Sequence, residues 1–213
     1  MALVHLGDPG VTHGRGKVAR RSKGERFQHM ISVAIKIIGE EGVDALSHRR
    51  LAERANVPLG STTYWFKSRD DILTQALARF AADESVALEH GFASLRVSTV
   101  DDLIDVLAGY IARIEVEDRG RLVAHYALFQ EASRNPTLRK ALHDWTEQWV
   151  TLLAEQLAHA GVKDSQRHAR VLMPLLDGLL INHLADPVDD FGEEVLRPAL
   201  RLVCSGWSAS RSD

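Results

Sequence analysis

Cysteine is nearly absent from this sequence of 213 residues, in which Cys204 is the single example. One cysteine cannot form an intrachain disulfide, and metal sites that need two cysteines are excluded as well. No stretch reaches the roughly 18 consecutive apolar residues of a membrane-spanning helix. The opening segment MALVHLGDPG has no charged start followed by an apolar run, so a secretory signal is not predicted. We therefore expect a cytoplasmic protein with no membrane partner.

The sequence motifs of common catalytic and cofactor sites are missing too. There is no glycine-rich phosphate loop, no Gly-x-Ser-x-Gly motif and no His-Glu-x-x-His motif, and the 10 histidines are scattered. A cluster of acidic residues is interpreted as the solvated start of a helix rather than a metal site. It consists of Asp186, Asp189, Asp190, Glu193 and Glu194. The sequence therefore predicts no catalytic residue, no cofactor and no metal.

Charge is distributed unevenly along the chain. Through residue 70 there are 12 lysines and arginines against 7 aspartates and glutamates, whereas the remainder has 14 against 22. A basic N-terminal third on an acidic remainder is typical of a nucleic-acid-facing module attached to another domain. Residues 1–22 contain a cluster of arginine and lysine without an apolar period, and they are predicted to form a flexible basic arm. Minor-groove insertion and a nonspecific role are both open for this arm.

From about residue 23 onward, apolar residues recur with helical spacing. Phe27, Ile31 and Ile38 lie on one face of a first helix, and Asn135-Pro136 is a typical helix start. The alternating pattern of strands is absent. We therefore predict an all-α protein of about nine helices, with a three-helix head at residues 23–68 and a larger helical domain at residues 69–213.

Residues 47–66 fit a helix-turn-helix unit. Two short helices are joined by a tight turn at Asn56, a residue that tolerates a left-handed backbone. Ala52 is small enough for the helices to cross closely, and Val57 fills the gap between them. In such a unit the second helix enters the DNA major groove and the first lies across the backbone.

The segment VPLGSTTYWFKSRDDIL at residues 57–73 resembles the signature of the TetR family of bacterial transcriptional regulators. The direct matches are Val57, Gly60, Phe66, Ser68 and Leu73. Thr63 and Trp65 depart from the family pattern, which usually has tyrosine and histidine there. The resemblance implies a homodimer formed by the last two helices and an effector cavity in the helices after residue 99. Because catalytic motifs are missing, no enzymatic activity is expected.

DNA contacts are predicted from the helix-turn-helix geometry and from the resemblance. Base edges are expected to meet the start of the second helix, at Leu59, Gly60, Ser61 and Thr62. Phosphate contacts are expected from Ser47, Arg49, Thr63, Tyr64, Lys67 and Arg69. Because no arginine, asparagine or glutamine occupies the start of the second helix, recognition is predicted to depend on methyl contacts and DNA shape. The alternative for each residue is a solvated surface position.

The candidate effector residues lie in the larger domain. His125 and Phe129 share an apolar stripe with Leu122, and Trp145 and Trp149 are spaced i, i+4 on the following helix. By the resemblance these side chains line a cavity, and the alternative is ordinary core packing. Asp177 and Asn182 lie in the most apolar helix and need partners, in a cavity, across a dimer seam or in water. The predicted effector set is His125, Phe129, Trp145, Trp149, Asp177 and Asn182.

Together these features predict a ligand-responsive, DNA-binding transcriptional regulator. The favoured form is a repressor that a small, largely apolar molecule releases from a double-stranded DNA operator. Two alternatives stay open: a helical protein-interaction module with a degenerate DNA-binding head, and, less favoured, a helical enzyme.

Overall fold

The computed structural model describes residues 22–95 and 97–207, and within these ranges the chain is helical with no strand. Its eight α-helices are α1 (Lys23–Glu41), α2 (His48–Ala55), α3 (Leu59–Trp65), α4 (Arg69–Leu95), α5 (Val100–Ala132), α6 (Pro136–His159), α7 (Ser165–Ala185) and α8 (Arg197–Cys204). Asp118 has a non-helical backbone inside α5. Counting the two parts of α5 separately gives nine helices in the described ranges, which agrees with the prediction.

Short turns and sequence signals determine where these helices start and stop. A 3-10 turn, Val43–Ala45, follows α1, and a π-helical turn, Gly192–Leu196, leads into α8. Thr99 caps α5 by accepting a hydrogen bond from the backbone of Asp102, and Asn135 caps α6 next to a proline in the first turn. The predicted helix start at Asn135-Pro136 is confirmed. Ser22 forms a capping box with Glu25 and so belongs with α1, while the rest of the predicted arm, residues 1–21, lies outside the described residues.

Two hydrophobic clusters share α5. One joins α1 and α2 to the first half of α4 and includes Leu128 of α5, while the other fills the space between α5, α6, α7 and α8. Within the described ranges no helix combines the length and apolarity that crossing a membrane requires. Because side chains of α5 enter both clusters, the helix-turn-helix head is packed directly against the rest of the chain.

The contact between α1 and α5 is made backbone to backbone. A Cβ atom placed on Gly39 would lie 2.2 Å from the carbonyl oxygen of Gly120, so at this point only glycine lets the two helices approach as they do. Gly120 lies two residues after the break at Asp118. This close contact between the head and the body therefore lies beside the irregular point of α5.

Candidate functional site

The helix-turn-helix consists of α2 and α3. Ser47 caps α2, its Oγ accepting a hydrogen bond from the backbone N–H of Arg50 at 3.1 Å. Asn56 has φ 53° and ψ 50°, the left-handed conformation that the sequence predicts. The backbone N–H of Val57 donates to the carbonyl oxygen of Ala52 at 3.0 Å, and Ala52 is buried where the two helices pack. The turn that positions α3 thus follows from residues 52–57.

The exposed face of α3 carries several of the residues predicted to contact DNA. Leu59 and Tyr64 are 52% and 67% exposed, and Gly60 has no atom within 4 Å of the position a Cβ would take. Thr63 is exposed as well, and Ser61 is half-buried. Lys67, after α3, and Arg49, on α2, also have exposed side chains. All of these side chains are available to a partner that approaches α3.

Thr62 and Arg69 require correction as DNA contacts. Thr62 is fully buried because it faces inward, one turn before the buried Phe66 that follows α3. Its Oγ1 donates to the carbonyl oxygen of Leu59 at 2.8 Å. Arg69 donates to the carbonyl oxygens of Leu46 and Val43 at 3.1 and 2.8 Å. The guanidinium group of Arg69 therefore stabilises the turn between α1 and α2 and is not aimed at a phosphate.

Lys23 is a basic residue at α3 that sequence reasoning missed. Its Nζ donates a hydrogen bond to the hydroxyl of Tyr64 at 2.8 Å and lies 5.3 Å from the centre of the Trp65 ring. The Trp65 ring in turn packs against Phe27 of α1, with 5.3 Å between ring centres. The helical spacing of α1 relative to Phe27 gave a weak signal for this contact, since Lys23 lies one turn before it. The result is a positive charge beside Tyr64.

A cavity lies between α5, α6 and α7. It contains about 530 Å³ of empty space, part of it in an open mouth. Aliphatic side chains of α5 and α7 line much of it, among them Leu107, Ile111, Leu122, Met173 and Leu176. The remaining surface is aromatic or polar and is formed by Tyr110, His125, Tyr126, Trp145, Trp149 and Asp177. A largely apolar cavity with few polar groups is the usual form of a small-molecule site.

Four of the six predicted effector residues meet at this cavity: His125, Trp145, Trp149 and Asp177. Phe129 and Asn182 do not, and these two predictions are corrected. Phe129 is 42% exposed, since Leu128 and Ala132 form the inward face of this end of α5. Asn182 is exposed on α7 and donates to the carbonyl oxygen of Gly178 at 2.6 Å. Sequence reasoning also missed Tyr110 and Tyr126, whose helical spacing on α5 marks them only as apolar-face residues.

Two titratable side chains of the cavity, His125 and Asp177, differ in charge at neutral pH. Burial lowers the pKa of His125 to about 4, and the charge of Arg121 acts in the same direction, so this ring is uncharged. Desolvation raises the pKa of Asp177 to about 6 against the opposing effect of a hydrogen bond from the Tyr126 hydroxyl. That hydrogen bond is 3.2 Å long. Asp177 is therefore mostly ionised at pH 7 in apolar surroundings.

A separate apolar surface runs along α7 and α8. His183 of α7 stacks on Phe191, and His168 at the other end of α7 contacts Trp207, so the segment 191–207 runs antiparallel to α7. Large apolar residues are exposed on these helices at Val171, Ile181 and Leu202, and in the connection between the helices at Val188. Leu202 is 78% exposed. These exposed residues form an apolar surface distinct from the cavity.

Comparison with known proteins identifies relatives along most of the chain. The sequence profile described as "Tetracyclin repressor-like, C-terminal domain" matches residues 98–206. The nicotine-responsive transcriptional repressor HdnoR of Paenarthrobacter nicotinovorans is 25% identical over 179 residues, which is 80% of this chain and 89% of that protein.

Two solved structures extend this likeness to the fold. A TetR-family protein of Streptomyces coelicolor A3 is 33% identical with a TM-score of 0.68, and the match covers 84% of this chain and 98% of that one. The multidrug binding protein EbrR, solved in complex with ethidium, is 32% identical with a TM-score of 0.68, over 85% of this chain and 99% of that one. With a helix-turn-helix at its N-terminal end and the matching profile over more than half of its length, this chain belongs to the TetR family of transcriptional regulators.

Proposed function

We propose that this chain is a homodimeric repressor that binds a double-stranded DNA operator through α2 and α3 and is released when a small molecule occupies the cavity. The observation that carries this proposal is that α5 lines the apolar cavity and also packs in the hydrophobic cluster of the helix-turn-helix head, which presents an exposed recognition helix. The chain then acts by binding rather than by catalysis. HdnoR is a nicotine-responsive repressor and EbrR binds ethidium. These two relatives support a ligand-responsive role for the present chain.

DNA is read by the exposed face of α3 in this proposal. Leu59, Gly60 and Thr63 offer methyl groups and a close backbone approach to the bases, with Ser61 at the edge of this face. Phosphates are held by the N-terminus of α2, with Ser47 and Arg49, and by Tyr64 and Lys67. Lys23 adds a further positive charge next to Tyr64.

A second copy of the chain covers the apolar surface of α7 and α8. The exposed side chains Ile181 and Leu202 would be buried there, and Asn182 lies on the same side of α7 as Ile181. Two copies place two recognition helices on the DNA, which must lie about 34 Å apart to enter successive major grooves. The homodimer is thus required for operator binding.

Release follows from a difference in effector affinity between two arrangements of the dimer. A molecule that binds the cavity better in the arrangement with the wrong spacing of recognition helices shifts the population toward it. Couplings of this kind change affinity by about 5- to 150-fold. Because α5 lines the cavity and contacts α1 at Gly39, a shift of α5 moves the head.

The experiment that tests the proposed function is selection of genomic DNA fragments by the purified full-length protein, followed by fluorescence anisotropy on the selected fragment. We expect one or a few fragments with affinities far above that for bulk DNA, and a two-fold symmetric protected region. Equal affinity for selected and random fragments would instead support an interaction module with an inactive head.

Lys67→Ala is expected to weaken DNA binding by a similar factor for all sequences and to reduce the slope of log affinity against log salt by roughly one. The reason is that an exposed lysine bound to a phosphate contributes charge but no base recognition. Lys140→Ala is the matched control, because Lys140 is exposed on α6 and paired with Asp144. An unchanged slope for Lys67→Ala would remove this residue from the phosphate contacts.

Leu202→Asp is expected to convert the dimer into monomers, as measured by sedimentation equilibrium at micromolar concentration, since a carboxylate would be buried without a partner. Its side chain is 78% exposed in the single chain, so the monomer should keep its melting temperature. Val86→Asp is the control, at a 55% exposed position on α4. A dimer that survives Leu202→Asp would place the interface elsewhere.

A further inference from the structure

We propose that the cavity binds an organic cation, with the positive centre held against Asp177 and against the rings of Tyr126, Trp145 and Trp149. This inference rests on the proposed function, because it takes the cavity as the effector site and names the charge and chemistry of the effector. Three observations support it: the charge of the cavity lining, the arrangement of its aromatic rings and the pairing of Arg121 with Asp83.

The charge of the lining is negative. Among the described side chains that line the cavity there is no lysine or arginine, His125 is uncharged, and Asp177 is the one group ionised at neutral pH. An isolated carboxylate in apolar surroundings is unfavourable unless an opposite charge accompanies it. A cationic ligand supplies that charge, whereas an anionic ligand would meet repulsion.

Arg121, the arginine whose charge acts on the cavity, is paired with a carboxylate other than Asp177. Arg121, whose charge acts on His125, forms an ion pair with Asp83 at 2.9 Å and lies 4.4 Å from the centre of the Phe80 ring. The described partner of the Asp177 carboxylate is the uncharged Tyr126 hydroxyl. The negative charge of Asp177 therefore remains available to a ligand.

The aromatic lining forms a continuous series of rings that ends at this carboxylate. Tyr110 and Trp149 have ring centres 6.1 Å apart, as do Trp149 and Trp145. His125 continues the series, 4.8 Å from Trp145 and 4.9 Å from Tyr126. Electron-rich ring faces attract organic cations, and tryptophan does so most strongly. A cation beside Asp177 would thus contact rings and carboxylate together.

Two buried donors add a further requirement. Trp145 and Trp149 are 4% and 8% exposed, and no described residue accepts a hydrogen bond from either indole N–H. Buried donors are usually paired in native proteins. A ligand that also carries a hydrogen-bond acceptor, such as an ether, hydroxyl or carbonyl oxygen, would satisfy them. The expected effector is an amine or quaternary ammonium compound with such an acceptor.

The test compares each cation with its neutral carbon isostere by isothermal titration calorimetry on the full-length protein. The pairs are choline with 3,3-dimethylbutan-1-ol, and benzyltrimethylammonium with neopentylbenzene, which differ in charge but hardly in shape. We expect the better cation to bind at least about tenfold more tightly than its isostere. Equal or tighter binding of both isosteres, or no binding by either cation, would overturn the proposal.

Substitutions of Asp177 and Trp149 test whether these side chains cause the preference for cations over their neutral isosteres. Asp177→Asn is expected to reduce cation affinity at least about tenfold and to leave the isosteres unchanged, because it removes the charge and keeps the shape. Asp186→Asn, at the exposed C-terminal end of α7, is the matched control and should change neither. Trp149→Leu retains an apolar side chain and should weaken the cation more than the isostere. Unaltered cation binding in both Asp177→Asn and Trp149→Leu would contradict the proposal.

Measuring release of the operator fragment distinguishes a failure of this inference from a failure of the proposed function. If a neutral or anionic molecule releases a selected operator fragment equally from the native protein and from Asp177→Asn, the repressor stands and the cationic effector is wrong. If the cations bind the cavity as expected but no specific fragment is selected, the cation site stands and the repressor is wrong.

Discussion

Gly39→Ala is expected to lower the free energy of unfolding by about 3 kcal/mol and the melting temperature by roughly 10 °C. The new Cβ would lie 2.2 Å from the Gly120 carbonyl oxygen, which belongs to the backbone and cannot rotate away. Relief requires α1 to move away from α5, which loosens the packing between the head and the body. Thermal unfolding followed by circular dichroism measures the effect.

Gly120→Ala is the matched control from the other side of the same contact. A Cβ at Gly120 would meet only the Asp118 carboxylate oxygen, at an ordinary 3.7 Å. Because alanine has a higher helix propensity than glycine, this variant should be as stable as the native protein or up to about 1 kcal/mol more stable. Similar losses in Gly39→Ala and Gly120→Ala would mean that the close approach of the two helices is not the cause.

Asp177→Asn is expected to raise the free energy of unfolding by up to about 3 kcal/mol at pH 7 in the absence of ligand. Folding raises the pKa of this carboxyl from 3.8 to about 6, so the folded state disfavours its ionised form. The penalty is absent below pH 3.8, develops between pH 3.8 and 6, and is complete above pH 6. Asparagine avoids the penalty, so the stability difference should follow this pH course in urea denaturation.

Asp102→Asn is expected to change the free energy of unfolding in the opposite direction. Hydrogen bonds from Ser98 and Thr99 lower the pKa of Asp102 to about 2, so its ionised form stabilises the folded state above pH 3.8 and this contribution is lost as pH falls through 2. The variant should therefore be less stable than the native protein at neutral pH. A pH-independent difference for Asp177→Asn would contradict the burial of its charge.

The fold could be predicted from the sequence because the helix ends are determined by residues close to them in the chain. Thr99, Asn135 and Asn56 each act within a few residues, so their caps and turn are visible without knowledge of the tertiary structure. Packing against α1 at Gly120 depends on a residue 81 positions away along the chain, which no local pattern reveals.

The site was harder to predict because residue type does not determine which face is buried. Thr62 is polar, yet its hydroxyl bonds to the backbone of its own helix, which allows full burial. Phe129 is apolar and is therefore predicted to line the cavity, yet its side chain is exposed, because apolar residues are also common on protein surfaces. Arg69 finds carbonyl partners more than twenty residues earlier in the chain. Charge at the cavity was foreseen only at Asp177, where an acid interrupts an otherwise apolar helix.

The positions of the tryptophans give the protein two separate optical reporters. Of the 4 tryptophans, Trp65 lies beside the recognition helix, Trp145 and Trp149 line the cavity, and Trp207 contacts His168. With Trp207 replaced by phenylalanine, removing Trp65 as well leaves emission that reports on the cavity, and the difference from the variant that keeps Trp65 is the emission of the DNA-facing side. The order in which the two signals change after rapid mixing with an effector would reveal whether the head moves after the cavity fills or before it.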